Sequence, residues 1–299
     1  MTASALTRLL VPPSLAGERL DRFLPAVTTL SRRRSRDLVA AGEVWRNGQP
    51  LRVQSRQLAA GDVIDVLRPA VELGVPPRPE LEPVEVLHED RSLLFANKPA
   101  GVLSQPAERR REGETALDER LLLQLALAAG RPPFLRLVHR LDRGTSGVLL
   151  FATDPRALPP LSSAWREGRV QRRYLAVVSG CPPAEEEVEQ PIARVEGAWR
   201  FEVEPGGKPA RTRIRRLNEG DGWSLVECQL ETGRTHQVRV HLAHLGYPVL
   251  GDRLYGGPPG DRPLLHAAEL TLPHPRTGKA LTVTAPPPQD LTPYLTVPV

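Results

Sequence analysis

The stretch His139-Arg140-Leu141-Asp142-Arg143-Gly144-Thr145-Ser146-Gly147 runs into Val148-Leu149-Leu150-Phe151-Ala152, and the short apolar run over 147–152 reads as a buried strand. A loop ahead of that strand therefore carries one carboxylate, Asp142, between the guanidiniums of Arg140 and Arg143. An arginine close to an aspartate favours the ionised form, while Gly144 and Gly147 permit a tight loop and close ligand approach. Asp142 is the candidate nucleophile, and such a site suits a phosphate-bearing substrate.

Around this loop, residues 84–87 and 92–96 read as strands and 116–129 as an apolar-faced helix, with later strands at 174–178, 211–216 and 223–230. Long irregular connections and hairpin-like pairs, without regular strand-helix alternation, predict an α+β fold. Its sheet should be mixed and mainly antiparallel rather than doubly wound.

The 299 residues suffice for two domains. Residues 1–75 hold eleven arginines against seven acids, so most of the net charge of +5 lies in the first quarter and marks a separate basic module. Ser31 can cap a helix over 32–41 that buries Leu38 and Val39, leaves Arg32, Arg33, Arg34 and Arg36 on exposed faces, and ends at Gly42. Asn47-Gly48 then signals a hairpin, because both residues tolerate the positive φ angles of a tight primed turn. Residues 76–83 are proline-rich with little apolar periodicity and read as a semi-stiff linker. The expected division is a small domain at 15–75, the linker, and a catalytic domain at 84–299.

Only three of the 40 basic residues are lysines; arginine pairs with phosphate through a planar fork. A pI near 9.7 is compatible with a nucleic-acid partner, though arginine richness can equally reflect genome composition. Cys181 and Cys228 are far apart, which argues against a disulfide scaffold and a cysteine zinc site. No secretory leader is read at 1–13 and no apolar stretch approaches about 20 residues, so the expectation is a cytoplasmic protein without a membrane span.

Several motifs together resemble the RluA-type pseudouridine synthases, which convert uridine in RNA to its carbon-linked isomer. These are the Asp142 loop, Asn97-Lys98-Pro99-Ala100-Gly101-Val102, Arg173-Tyr174-Leu175-Ala176, and Leu230 to His241 with its sequel Gly251-Asp252-Arg253-Leu254-Tyr255. Leu265-His266-Ala267 completes the series. The match spans roughly residue 84 to the C-terminus. The helix and hairpin of the first 75 residues are similar to the small RNA-binding domain named after the fourth protein of the ribosomal small subunit.

The resemblance implies a reaction without cofactor or metal, in which a carboxylate acts covalently at the sugar or as a base at the ribose; that role falls to Asp142. It implies that Arg234 pairs with Asp142 and that Tyr174 lies at the base, where it can stack on uracil and move a proton from C5. A stacked uridine must leave its stack, and Arg140 is the expected filler of the gap or else a phosphate clamp. Lys98 and Arg143 are candidate phosphate contacts, and Arg32, Arg33, Arg34 and Arg36 candidate RNA contacts.

His236, His241 and His244 invite a metal reading. Val238, Leu242 and Leu245 instead give that segment the apolar face of a helix capped by Thr235 and ended by Gly246, and no glutamate accompanies the histidines. Gly144-Thr145-Ser146-Gly147 is one residue short of a serine-hydrolase elbow. Leu103-Ser104-Gln105-Pro106 departs from the family pattern, a change expected to affect only a peripheral contact. The expected activity is RNA pseudouridine synthesis by a monomer, in large-subunit ribosomal RNA. The competing reading is a non-catalytic RNA-binding or ribosome-assembly factor that keeps the fold.

Overall fold

The computed structural model describes residues 6–11, 13–74, 82–107, 114–129 and 133–295. In chain order its elements are β1 Thr7–Leu10, α1 Leu20–Val27, α2 Arg32–Ala40, β2 Val44–Arg46, β3 Gln49–Pro50, β4 Val63–Val66, β5 Val86–Glu89, β6 Leu93–Lys98 and α3 Leu117–Ala129. They continue as β7 Arg136–Leu137, β8 Ser146–Ala152, α4 Leu158–Arg166, β9 Gln171–Ser179, β10 Glu185–Glu189, β11 Ile192–Arg194 and β12 Phe201–Val203. The last are β13 Arg211–Gly220, β14 Trp223–Leu230, α5 Gln237–His244, β15 Leu265–Pro273 and β16 Ala280–Thr284. Most of the expected linker falls outside the described residues, at 75–81.

The chain separates into two compact units. One comprises Met1–Val84 with Gln105–Leu137 and Ala152–Pro155, the other Glu85–Ser104, Val138–Phe151 and Arg156–Val299. In the first, an antiparallel sheet of order β1-β4-β2-β3 accompanies α1 and α2. Leu20, Phe23 and Leu24 recur at helical spacing, and α1 buries all three in a core shared with Leu38 and Val39 of α2. Ser31 caps α2 by accepting the Arg34 N–H at 3.2 Å, and its neighbours Arg32, Arg33, Arg34 and Arg36 are exposed. Asn47 and Gly48 adopt φ of 51° and 78°, and Arg46 pairs with Gln49 across the two-residue turn. The turn is also locked by side chains: Asn47 Nδ2 donates to Asp62 and its Oδ1 accepts the Val63 N–H.

In the second unit the strand order is β10-β13-β14-β9-β15-β8-β6-β5, with β16 on β15. Most neighbours are antiparallel, while β15 and β8 run parallel. The fold is therefore α+β with a mixed, mainly antiparallel sheet. Every residue of β8 is buried, as its unbroken apolar pattern requires. Where β8 passes β15, Gly147 has φ 115°, and a Cβ there would stand 2.1 Å from the Ala267 carbonyl oxygen. Only glycine allows this approach, which seats the Asp142 loop at the start of β8.

Candidate active site

The Asp142 loop is held through its backbone at three successive points. The Ser104 hydroxyl accepts the Leu141 N–H at 3.0 Å and donates to the Leu141 carbonyl at 2.8 Å. The Arg143 carbonyl accepts Lys98 Nζ at 3.2 Å and the Gly101 N–H at 2.8 Å. The Gly144 carbonyl accepts Arg262 Nη1 at 3.1 Å, and Arg262 is itself gripped by both Asp290 oxygens at 2.6 Å. Asp142 thus projects from a turn closed by its own carbonyl and the Thr145 N–H. Such a frame pre-sets the direction of the carboxylate before any ligand arrives.

Two sequence expectations change here. Lys98 is fully buried and its ammonium also donates to the carbonyls of Pro99 and Val102, so it holds loop backbone rather than phosphate. Burial depresses its pKa to about 7, against the pull of Asp142. Ser104, expected to be peripheral, touches the residue immediately before Asp142.

The larger correction concerns Arg234. Its Nε donates to the Pro209 carbonyl at 2.8 Å, and the partner of Asp142 is Arg239, whose Nη1 donates to Oδ2 at 3.0 Å. The reason is the turn before α5. Gln237 Oε1 accepts the Arg234 N–H and the Thr232 hydroxyl, and its Nε2 donates to Arg211 and Thr212 on β13, fixing the segment 232–237. The residue capping α5 is His236, in the left-handed region at φ 58°, rather than Thr235. One helical step later Arg239 points at Asp142 while its Nε and Nη2 make a forked pair with Asp252 at 2.6 and 2.8 Å. Burial disfavours the Arg239 charge, but the Asp252 and Asp142 carboxylates outweigh it and raise its pKa. Both Asp142 contacts, Arg239 and the more distant His236 Nε2 at 3.6 Å, fall on Oδ2. Among the described residues, Oδ1 takes no hydrogen bond.

These groups line a cavity of about 690 Å³ together with Arg140, Trp165, Arg172, Tyr174 and Arg234, a size that accommodates a nucleotide. Tyr174, on β9, enters opposite Cys228 of β14, and burial pushes its phenol up to about 12, so it is protonated at neutral pH. His139 lies against Trp165, with ring centres 5.6 Å apart, and burial holds it neutral with a pKa of about 3. Arg140 is exposed at the rim, and Arg143 contributes its carbonyl to the frame. His241 is buried with one ring nitrogen at Thr212 and the other at the Gln190 carbonyl, while His244 is exposed.

The family model of RNA pseudouridylate synthase matches residues 92–244, which hold the Asp142 loop, Tyr174 and Arg239. A protein of Chloroflexus aurantiacus named as an RNA pseudouridine synthase is 40% identical over 95% of this chain and 90% of its own length. The chain belongs to the RNA pseudouridine synthase family. This synthase is accordingly an isomerase acting on RNA, of the RluA type that its motifs resemble. It is 34% identical to the ribosomal large subunit pseudouridine synthase D of Xanthomonas campestris, over 96% of this chain and 91% of that protein. Its structure is similar to that of human RNA pseudouridylate synthase domain containing 1, with a TM-score of 0.60 and 28% identity over 73% of this chain and 88% of that one. Among the described residues, no helix of the synthase is long and apolar enough to cross a membrane.

Proposed function

We propose that this synthase isomerises uridine in large-subunit ribosomal RNA, in the cytoplasm, with Asp142 as the catalytic carboxylate. The observation that carries the site assignment is the asymmetry of Asp142, a residue that lines a nucleotide-sized cavity: Oδ2 is anchored by Arg239, while Oδ1 has no hydrogen-bond donor among the described residues. The reaction breaks the C1′–N1 bond, turns the freed uracil, forms C1′–C5, and transfers the C5 proton to solvent while N1 regains one. Asp142 serves either by adding to C1′ or by removing the C2′ proton and returning it; both routes need one ionised oxygen held by its partner and one free to react. Arg239 supplies the fixed positive charge for that carboxylate. Tyr174, protonated and partly buried, offers an aromatic face to the turning uracil and a hydroxyl near its edge.

Arg140, exposed at the rim two residues before Asp142, fills the stack that the flipped uridine leaves. Arg32, Arg33, Arg34 and Arg36 of α2 form the electrostatic footprint of an N-terminal RNA-binding domain, which reads phosphate rather than bases. The ribosomal target draws its support from the name of the Xanthomonas relative, similar along almost the whole chain.

The test is to incubate the protein and its Asp142→Asn variant with unmodified ribosomal and transfer RNA and map pseudouridine by an adduct that arrests reverse transcription. New arrests in large-subunit RNA that depend on Asp142 are expected. Arrests confined to transfer RNA overturn the target, and arrests that persist in the variant overturn the carboxylate assignment.

A further inference from the structure

His236 occupies a backbone conformation that side-chain-bearing residues avoid, and it does so against the carboxylate just described. Its φ of 58° and ψ of 17° are left-handed, a region in which histidine, asparagine and aspartate are over-represented but which still carries strain. The imidazole is almost enclosed, with Phe201 of β12 and Tyr255 edge-on to it at ring-centre distances of 5.6 Å each. Nδ1 lies 2.8 Å from the Tyr255 hydroxyl, and Nε2 lies 3.6 Å from Asp142 Oδ2.

The hydrogen-bond partners assign the tautomer. The Tyr255 oxygen accepts the Phe201 N–H at 3.2 Å, burial raises the phenol's pKa so that its hydrogen is present, and among the described residues His236 Nδ1 at 2.8 Å is the acceptor within reach of that hydrogen. An imidazole that accepts at Nδ1 carries its proton on Nε2, facing Asp142. Around the ring stand Asp142 and Asp252, which favour its protonation, and Arg239 and Arg140, which oppose it; burial dominates and keeps it neutral.

We infer that His236 is a positioning residue: Tyr255 fixes it as the Nε2–H tautomer, so that it acts as a second donor to Oδ2 of Asp142 and, with Arg239, turns Oδ1 toward the ribose. The 3.6 Å separation is that of a contact which shortens when substrate excludes water from the cavity. This role rests on the reading of Asp142 as the catalytic carboxylate. It gives a chemical reason for the strained His236 backbone, and it makes Tyr255 part of the active-site apparatus through the histidine it orients.

Glutamine and asparagine separate this role from a structural one. His236→Gln can bring an amide N–H close to the position of Nε2 but fits the left-handed backbone poorly, whereas His236→Asn fits the backbone and matches only Nδ1. Single-turnover release of tritium from uridine-C5-labelled transcripts of ribosomal and transfer RNA, with protein in excess, reads the chemistry; filter binding of the same transcripts reads affinity. His236→Gln is expected within about 5-fold of the native rate, His236→Asn slower by about 10- to 100-fold, the effect associated with one hydrogen bond to a charged group, and affinity unchanged in both. Tyr255→Phe should fall between them. In the native protein, imidazole ¹⁵N shifts should report a proton on Nε2.

Equal rates for the two His236 variants, or Asn faster than Gln, overturn the proposal, as does a proton on Nδ1. The tautomer measurement needs no variant, so it decides even if His236→Gln does not fold. An Asp142→Asn protein that releases tritium at the native rate instead removes the carboxylate reading beneath it.

Discussion

Arg239 Nη1 lies 3.0 Å from Asp142 Oδ2, although 97 positions separate the two residues in the chain. The same guanidinium grips the buried Asp252 through its other two nitrogens, so one side chain serves two carboxylates. Arg239→Ala leaves both without this cation and, as the removal of one partner from a buried pair, should cost about 3–5 kcal/mol of stability. Its single-turnover rate should fall at least about 100-fold, since Asp142 is no longer oriented. Arg234→Ala, removing a side chain that donates to the Pro209 carbonyl, should stay within several-fold of the native rate. Rates measured side by side decide between the two arginines, and the reverse order would restore Arg234 as the partner.

Gly147 should tolerate no side chain. Gly147→Ala combines a φ of 115° with a methyl 2.1 Å from the Ala267 carbonyl oxygen, and should lose at least about 3 kcal/mol in urea unfolding from strain and overpacking together. Gly101→Ala, at φ 84° with nothing within 4 Å of the new methyl, should lose only about 1–2 kcal/mol. Similar losses at both positions would mean that the close approach of β8 and β15 yields easily.

Lys98 makes stability depend on pH in a definite sense. Its folded pKa is depressed to about 7, so between pH 7 and 10 the unfolded chain binds a proton that the folded chain lacks, and stability rises with pH across that window. Below pH 7 the contribution levels off at its least favourable value. Relative to Lys98→Met, the native protein should gain up to about 1.4 kcal/mol per pH unit in denaturant titrations from pH 7 to 10. Parallel curves would show that the buried ammonium keeps its proton.

The arginines of α2 should act through salt-sensitive binding to RNA. Arg32→Ala, Arg33→Ala and Arg34→Ala combined should lower the slope of log affinity against log salt by about 0.7–0.9 for each phosphate that an arginine had neutralised. The single-turnover rate at saturating protein should not change. A lower rate with an unchanged slope would remove the helix from the RNA-binding surface.

Features whose physics is local can be read from the residues alone. Ser31 caps α2, Asn47-Gly48 makes a tight turn, the apolar run after Gly147 makes a buried strand, and the succession of strands and helices without regular alternation along the chain makes an α+β fold. Each rests on a propensity or period carried within a few residues. The Asp142 motif and Tyr174 are legible for the same reason, as contiguous signatures. Which arginine meets Asp142 is not, because Arg234 and Arg239 lie in one motif and only the left-handed residue His236 and the Gln237 turn decide which of them faces the loop. The burial of Lys98, the Ser104 clasp on Leu141 and the Tyr255–His236 pair are hidden likewise. Each joins segments whose proximity is set by how the strands are ordered in the sheet, and a hydrogen bond's value depends on the final separation and direction of its partners rather than on their distance along the chain.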